Sequence, residues 1–318
     1  MRILVLGAAG FIGSNLVRRC LREPNNRVVA LDFLDPRLQS TLDNLEDILP
    51  AIEFVRGDIR DTALMMDLVK NQDIIFNCAA QTSHTFAMSD PLFDADVNCI
   101  GNLRVLEALR ACDPERRTVV VYTSSSTAVG PVDDRPIDET HLERPLDIYS
   151  ANKCAAEKYY RIYHHVHDIK TVVLRFANVF GPHGKGSPAF GFVNYFIQQA
   201  FKGADITVYG HGEQKRNVLF VGDAVEILYR SAFDSRLIGT LHFAVHDEHL
   251  SVQKIAHSIV TAFGRGRVVH IDWPEDRHRI EIGDQFIVAR GLRELTGWHP
   301  QFSFEWGLVE TKRIMDAE

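Results

Sequence analysis

Tyr149 and Lys153, in Tyr149-Ser-Ala-Asn-Lys153, are the pair of side chains in this chain best suited to acid–base chemistry. On a helix they share a face, about one turn apart. A free tyrosine, with a pKa of about 10, is too weakly ionised to act as a base near neutral pH. Lowering that value by about three units requires roughly 4 kcal/mol of differential stabilisation. A lysine ammonium and a second nearby cation, together in a dry cleft, supply it. The chemistry expected is removal of an alcohol proton while the same carbon gives up hydride. Tyr-x-x-x-Lys alone occurs by chance in many helices, so its surroundings decide.

Two other motifs provide that context. Gly7-Ala-Ala-Gly10-Phe-Ile-Gly13 lies between a strand-like and a helix-like run. Small residues there, with Phe11 and Ile12 between them, let the backbone approach a pyrophosphate whose charge the helix N-terminus stabilises. Asp32 ends the second apolar run, 19 residues after Gly13. A carboxylate there accepts hydrogen bonds from a ribose 2′-hydroxyl and repels a 2′-phosphate, which selects NAD over NADP. Asp58, followed by Ile59 in Gly57-Asp-Ile-Arg60, is placed to accept from an adenine amino group. The hydroxyl run Thr123-Ser-Ser-Ser126 ends another apolar strand and faces the same chemistry.

These residues need a scaffold. Short Val/Ile-rich runs at Arg2–Leu6, Arg27–Leu31, Ile52–Arg56, Ile74–Ala79, Thr118–Thr123 and Lys170–Phe176 read as parallel strands buried on both faces. Helical runs alternate with them at Ile12–Arg22, Ala63–Lys70, Val97–Ala111 and Ser150–His165. The pattern predicts an α/β fold: a Rossmann-type doubly wound parallel sheet. After Phe176 the pattern breaks at the turn-rich Gly181–Pro188. A smaller mixed α/β substrate-binding domain is expected there, interleaved with the first. The division is 1–176 with 217–250 for the dinucleotide, and 177–216 with 251–318 for the substrate.

Composition narrows the class. The chain has 318 residues, 46% hydrophobic and 24% charged, with net charge −7, which argues against a nucleic-acid partner. Five cysteines at irregular spacing argue against a disulfide framework and fit a reducing compartment. No run approaches the ~18 apolar residues of a membrane span, and a strand beginning at residue 2 leaves no room for a signal peptide. A cytoplasmic protein without a membrane partner is expected. His164, His165 and His167 cluster at a helix end without carboxylates at ligand spacing, so no metal site is expected. His84 and His183 stand in loops where an auxiliary acid or base would lie.

With these residues in view, the chain resembles the extended short-chain dehydrogenase/reductase family, the NAD-dependent sugar-nucleotide epimerases and dehydratases. Asn77-Cys-Ala-Ala-Gln81, Asn98 and Leu174-Arg-Phe-Ala-Asn-Val-Phe-Gly-Pro182 add to the motifs above, and the likeness runs nearly the whole chain. It implies Ala79 and Ala80 against the cofactor, Asn98 holding helix and ribose geometry, and a homodimer packed through the helices near Val97–Ala111 and Ser150–His165. It implies Ser125, five residues before Gly130, as the hydroxyl on the reacting oxygen, with Ser126 facing the same cleft. Asn178 and Arg216 resemble residues that contact the nucleotide-sugar diphosphate. Arg277 or Arg279 is expected to add a second phosphate contact, and Val208 to offer backbone groups to the base.

Reaction type is read from positions 126 and 127. Dehydratases of the family carry an acid–base pair there, whereas this chain has Ser126-Thr127, which resembles the epimerases. Ala128-Val129 departs from the family's usual Val-Tyr. The expectation is an epimerase acting at C4 of a nucleotide hexose through a 4-keto intermediate. Asp94–Gly101 and Glu281–Asp284 also resemble CDP-sugar 2-epimerases. That reaction, a 4,6-dehydratase and a catalytically silent nucleotide-sensing module are the alternatives.

Overall fold

The computed structural model describes residues 1–132, 136–278 and 281–317, apart from the side chains of Asp276 and Arg277. Seven strands form its central sheet: β1 (Arg2–Leu6), β2 (Arg27–Asp32), β3 (Glu53–Arg56), β4 (Ile74–Asn77), β5 (Val119–Ser125), β6 (Lys170–Phe176) and the strand Thr240–Ala244. All neighbours are parallel, in the order β3-β2-β1-β4-β5-β6 and then Thr240–Ala244. The order reverses between β1 and β4, so a crevice opens beyond their carboxyl ends.

The apolar runs have this form because each strand is covered twice. In β1, Ile3 and Val5 join one apolar cluster and Leu4 and Leu6 the other, all fully buried. Helix α1 (Phe11–Leu21) packs on the helix Val221–Ser231 on the first face. Helices α2 (Thr62–Leu68), α5 (Asn102–Cys112) and α6 (Ile148–His167) pack in succession on the second.

Three departures from the sequence reading bear on the site. The helix expected over Val97–Ala111 begins as a wider π turn, Asp96–Gly101, before α5. Gly101 lies so close to Ile59 that a Cβ would stand 2.6 Å from its Cδ1. Two short helices, α3 (His84–Ser89) and α4 (Pro91–Ala95), occupy a stretch with too few turns to show periodicity. Each is started locally, by Ser83 accepting from the Phe86 amide and Asp90 from the Phe93 amide. Beyond the sheet, Val179–Phe180 pairs with Leu219–Phe220, Ile206–Tyr209 with Val268–Ile271, and Lys215–Asn217 with His249–Ser251. The 216/217 and 250/251 divisions fall inside that last ladder. One apolar cluster continues from Ile3 to Leu308 across both parts. No described helix is long and apolar enough to cross a membrane.

Helix α6 is fastened to the sheet by charge. Arg175 of β6 donates from Nε to Glu157 Oε1 at 2.8 Å and from a terminal nitrogen to Oε2 at 2.6 Å. Ser124 of β5 donates to the same carboxylate at 2.5 Å, and Arg175 also reaches Glu143 at 2.6 Å. Arg175 and Glu157 are 2% and 1% exposed. Removing one partner leaves the other charge buried, at a cost of about 3–5 kcal/mol. Arg175→Met is therefore expected to lower unfolding free energy by about that amount in urea titration. Replacing both partners, with Glu157→Leu added, is expected to recover most of the loss.

Candidate active site

A cleft of about 350 Å³ lies over the carboxyl ends of β1, β4 and β5, of a size suited to a small-molecule ligand. At one end is the glycine turn. Gly7, at φ +74°, lies so close to the chain after β4 that a Cβ would meet the Ala79 nitrogen at 2.7 Å. A Cβ on Gly13 would stand 2.0 Å from the Gly7 carbonyl oxygen. Only glycine admits this turn, which brings the amides opening α1 to the cleft. Gly10 precedes that helix, whose first turn carries no acidic side chain, so an anion there meets unopposed amides. Gly7, Gly10, Phe11, Ile12 and Gly13 all line the cleft, as do Ala79 and Ala80.

Asp32 lies at the same end, 6% exposed. One carboxylate oxygen accepts from the Ala9 amide at 2.9 Å; the other accepts from the Leu34 amide at 2.9 Å and the Ser40 hydroxyl at 2.7 Å. The turn thus fixes the carboxylate at the cleft wall. Asp58 and Ile59 also line the cleft. The Asp58 carboxylate already receives Arg60 through Nε and a terminal nitrogen at 2.7–3.1 Å. Asn98 does not reach the cleft. It is fully buried in the π turn and donates to the Gln81 carbonyl at 2.9 Å, bracing the chain that leaves β4. The glycine cradle, the free helix amides and Asp32 together fit a dinucleotide without a 2′-phosphate.

Tyr149, Lys153 and Ser125 meet at the centre. Tyr149 is 7% exposed and Lys153 2%. Lys153 donates from Nζ to the Thr123 carbonyl at 2.7 Å and stands 4.4 Å from the centre of the Tyr122 ring. The protein's own groups pull both members of the pair toward their neutral forms. Burial pushes the Tyr149 phenol above its ordinary range, and Asp94, Asp147 and Glu157 add to the rise. The Ser125 hydroxyl opposes it by hydrogen bonding. Burial also pulls Lys153 down, to about 8, against the nearby acidic groups. Desolvation outweighs the pair's mutual effect because both groups are enclosed by apolar β5 and α6 residues.

Ser124, Ser126 and Thr127 line the cleft beside Ser125, and the Ser124 hydroxyl is engaged by Glu157. Asn178, at φ +41°, lines the far end and donates to the Asn217 carbonyl at 2.8 Å. Arg216 lines it too, but its guanidinium is held by Glu281 and by the Gly283 carbonyl at 2.5 Å. Val208 is not brought to the cleft; its side chain is fully buried, and its strand pairs with Val268–Ile271. The side chain of Arg277, and all of Arg279, lie outside the described residues. His183 stands beside Arg18 and Asp47 and is not among the cleft-lining residues; burial pushes it down to about 4.

Lys185 and Gln285 are cleft residues with no sequence signal, and the sequence marks His84 only as an auxiliary acid or base. His84 lines the wall, with Nδ1 2.7 Å from Asp147 and its ring edge-on to Tyr149 at 4.7 Å between centroids. Lys185 reaches the dinucleotide end from the Gly181–Pro188 loop; burial lowers it to about 8 while Asp32 holds it up. Gln285 is 3% exposed, and its side-chain nitrogen has no partner among the described residues. Such a donor in a cleft wall is available to a ligand. The Glu143, Cys154 and Glu157 cluster has metal-ligand types, but Arg175 and Lys158 pair its carboxylates.

This arrangement, a switch-point crevice with a glycine cradle and a Tyr–Lys pair, is that of a dinucleotide-dependent enzyme acting on an alcohol. The chain belongs to the NAD dependent epimerase/dehydratase family, whose model matches residues 3–236. It is 34% identical to a putative UDP-glucose 4-epimerase of Methanocaldococcus jannaschii, over 99% of this chain and 97% of that one. It is also 34% identical to a UDP-glucose 4-epimerase of Mycolicibacterium smegmatis, over 98% and 97%. Among solved structures, a Thermus thermophilus UDP-glucose 4-epimerase in complex with NAD superposes with TM-score 0.86 at 27% identity, covering 98% of each chain.

The depressed Lys153 has a signed consequence. Below pH 8 both folded and unfolded states hold the proton, and the full penalty of burying the charge is present. Between pH 8 and 10.5 the unfolded chain binds more protons, so this group's contribution to stability rises with pH. The stability of the wild type relative to Lys153→Met is expected to rise across that window, by roughly 3 kcal/mol in total. Urea titrations of both proteins at stepped pH measure it.

Proposed function

We propose that the protein is an NAD-dependent sugar-nucleotide epimerase acting at C4 of a nucleoside-diphosphate hexose. The observation that carries this reading is the placement of Tyr149, Lys153 and Ser125 at the end of β5, opposite the glycine turn, with hydroxyls and no carboxylate at positions 126 and 127. When bound, NAD supplies a reversible hydride acceptor whose oxidised ring is positive. Tyr149 takes the proton of the sugar hydroxyl and later returns it. Ser125 holds the reacting oxygen, and Lys153 holds the nicotinamide ribose while its charge favours the phenolate. Burial raises the phenol by itself, so the positive ring makes ionisation conditional on oxidised cofactor. With no carboxylate at 126 or 127, there is no general base there to remove a second proton and expel water.

Gly7 to Gly13 hold the pyrophosphate, Asp32 the adenosine ribose and Asp58 the adenine. Asn178, Arg216 and Gln285 take the substrate's diphosphate and sugar, with Arg216 exchanging Glu281 for phosphate. Arg277 or Arg279 adds the second phosphate contact. The named relatives make UDP-hexoses the first substrates to try. The two-part division of the chain gives cofactor and substrate separate platforms around one cleft. The described cysteines are all unpaired, which suits a cytoplasmic enzyme. We also propose a homodimer through α6 and the π turn that leads into α5, where Ile162, Val166 and Ile100 are 51%, 59% and 41% exposed.

Two experiments test these readings. UDP-, GDP-, CDP- and dTDP-hexoses are incubated with the enzyme and the products read by NMR. A C4-inverted hexose is expected, and a 4-keto-6-deoxy sugar would sink the epimerase reading. Tyr149→Phe is expected to reduce kcat by about 10²- to 10⁴-fold while NAD stays bound. For the dimer, Ile162→Asp with Val166→Asp is expected to halve the mass in sedimentation. An unchanged dimer would place the interface elsewhere.

A further inference from the structure

Helix α1 and the Gly181–Pro188 loop meet beside the glycine turn. Asn15, in the second turn of α1, donates from its side-chain nitrogen to the Pro182 carbonyl at 3.0 Å and to the Phe11 carbonyl at 2.9 Å. The loop is also held by Asn194 of the helix Phe192–Phe201, which accepts from the Gly181 amide at 3.1 Å and donates to the Val179 carbonyl at 3.2 Å. Gly184 packs so close to Asn194 that a Cβ would stand 2.4 Å from its Oδ1. The next residue, Lys185, is therefore carried on a braced segment into the cleft that Gly7, Gly10 and Gly13 also line.

Its charge is placed differently from that of the other cations there. Among the described residues, the lysines and arginines lining the cleft are Arg60, Lys153, Lys185 and Arg216. Asp58 and Asp96 pair Arg60, Glu281 pairs Arg216, and Lys153 donates to the Thr123 carbonyl. Lys185 has no ion-pair partner among the described residues; its Nζ rests on the Phe190 ring, 4.3 Å from the centroid. Asp32 is near enough to favour its charge, but both oxygens of that carboxylate already accept hydrogen bonds, from Ala9, Leu34 and Ser40. A partly buried ammonium without a bound counter-ion is unfavourable until an anion completes it.

We propose that Lys185 is the cation that clamps the pyrophosphate of the bound dinucleotide. This rests on the reading of Gly7–Gly13 as the pyrophosphate cradle. A pyrophosphate bridge is doubly negative, whereas a helix N-terminus supplies roughly half a positive charge. On a chain of net charge −7, the remainder calls for a local cation. Lys185 supplies it from a loop that Asn15 ties to the helix whose first amides serve the same anion. The cofactor is then gripped from two parts of the chain, and its release requires the Gly181–Pro188 loop to let go. Such retention suits a reaction in which hydride leaves a sugar and returns to it within one binding of the cofactor.

The test measures exchange of bound NAD for radiolabelled NAD, without substrate, in wild type, Lys185→Met and Lys185→Arg. Lys185→Met keeps a long apolar stem on Phe190 and removes the charge. It is expected to release NAD at least tenfold faster, or to purify folded by circular dichroism but without NAD. Lys185→Arg, which keeps the charge, is expected to stay within threefold of wild type. Affinity for UDP, read by calorimetry, is expected to stay within twofold in both variants. Wild-type exchange in Lys185→Met would overturn the proposal. Loss of UDP affinity with NAD exchange unchanged would overturn it too, by moving Lys185 to the substrate's diphosphate. Lys185→Arg exchanging as fast as Lys185→Met would overturn charge as the cause. A wild-type protein that holds no NAD would instead remove the cradle reading itself. NAD exchange needs no turnover, so a hexose panel without C4 inversion would sink the epimerase reading and leave the clamp standing.

Discussion

The Arg175–Glu157 pair is the contact on which the cleft's geometry depends. It joins the middle of α6 to β6, and Ser124 joins the same carboxylate to β5. Lys153 stands one turn before Glu157 on that helix and Tyr149 one turn earlier still, so all three share a face. A slide of α6 along the sheet would break several charge-assisted hydrogen bonds at once. A buried ion pair adds little stability over an apolar pair of the same volume, but it permits few alternative registers. The catalytic helix gains one position against the strand that carries Ser125.

The same enclosure creates the site's electrical problem. Burial that excludes water raises the phenol and lowers the lysine, each toward its neutral form. The protein alone therefore holds Tyr149 protonated. With NAD bound, its positive nicotinamide ring would favour the phenolate, which would tie proton removal to oxidised cofactor. Around this centre the carboxylates are engaged: Asp32 by two amides and a hydroxyl, and Asp58 by Arg60. Such groups are set in place before a ligand arrives, which limits the ordering cost of binding.

Much of this was legible in the residues. Strands β1 and β6 occupy the ranges read from their Val/Ile runs, because a strand buried on both faces leaves a near-continuous apolar signal. Gly7, Gly13 and Asp32 were legible because steric and charge demands leave few choices at those positions. What was not legible depends on contacts distant in sequence. His84 meets Asp147 across 63 residues, and Arg216 meets Glu281 across 65. Helices α3 and α4 are too short for periodicity, and Lys185 sits in a loop whose glycines and prolines announce a turn without its direction. The rise at Tyr149 from the protein's own groups was not legible, because sequence spacing reports a nearby charge and says nothing of desolvation.

The central claim is that hydride leaves C4 of the sugar and returns to the same carbon on its other face. UDP-glucose carrying deuterium at C4 tests it most directly, with the product examined by NMR and mass spectrometry. The account predicts a C4-inverted hexose that keeps its deuterium at C4. Loss of the label to solvent, or its transfer to C6 of a 4-keto-6-deoxy sugar, would contradict it.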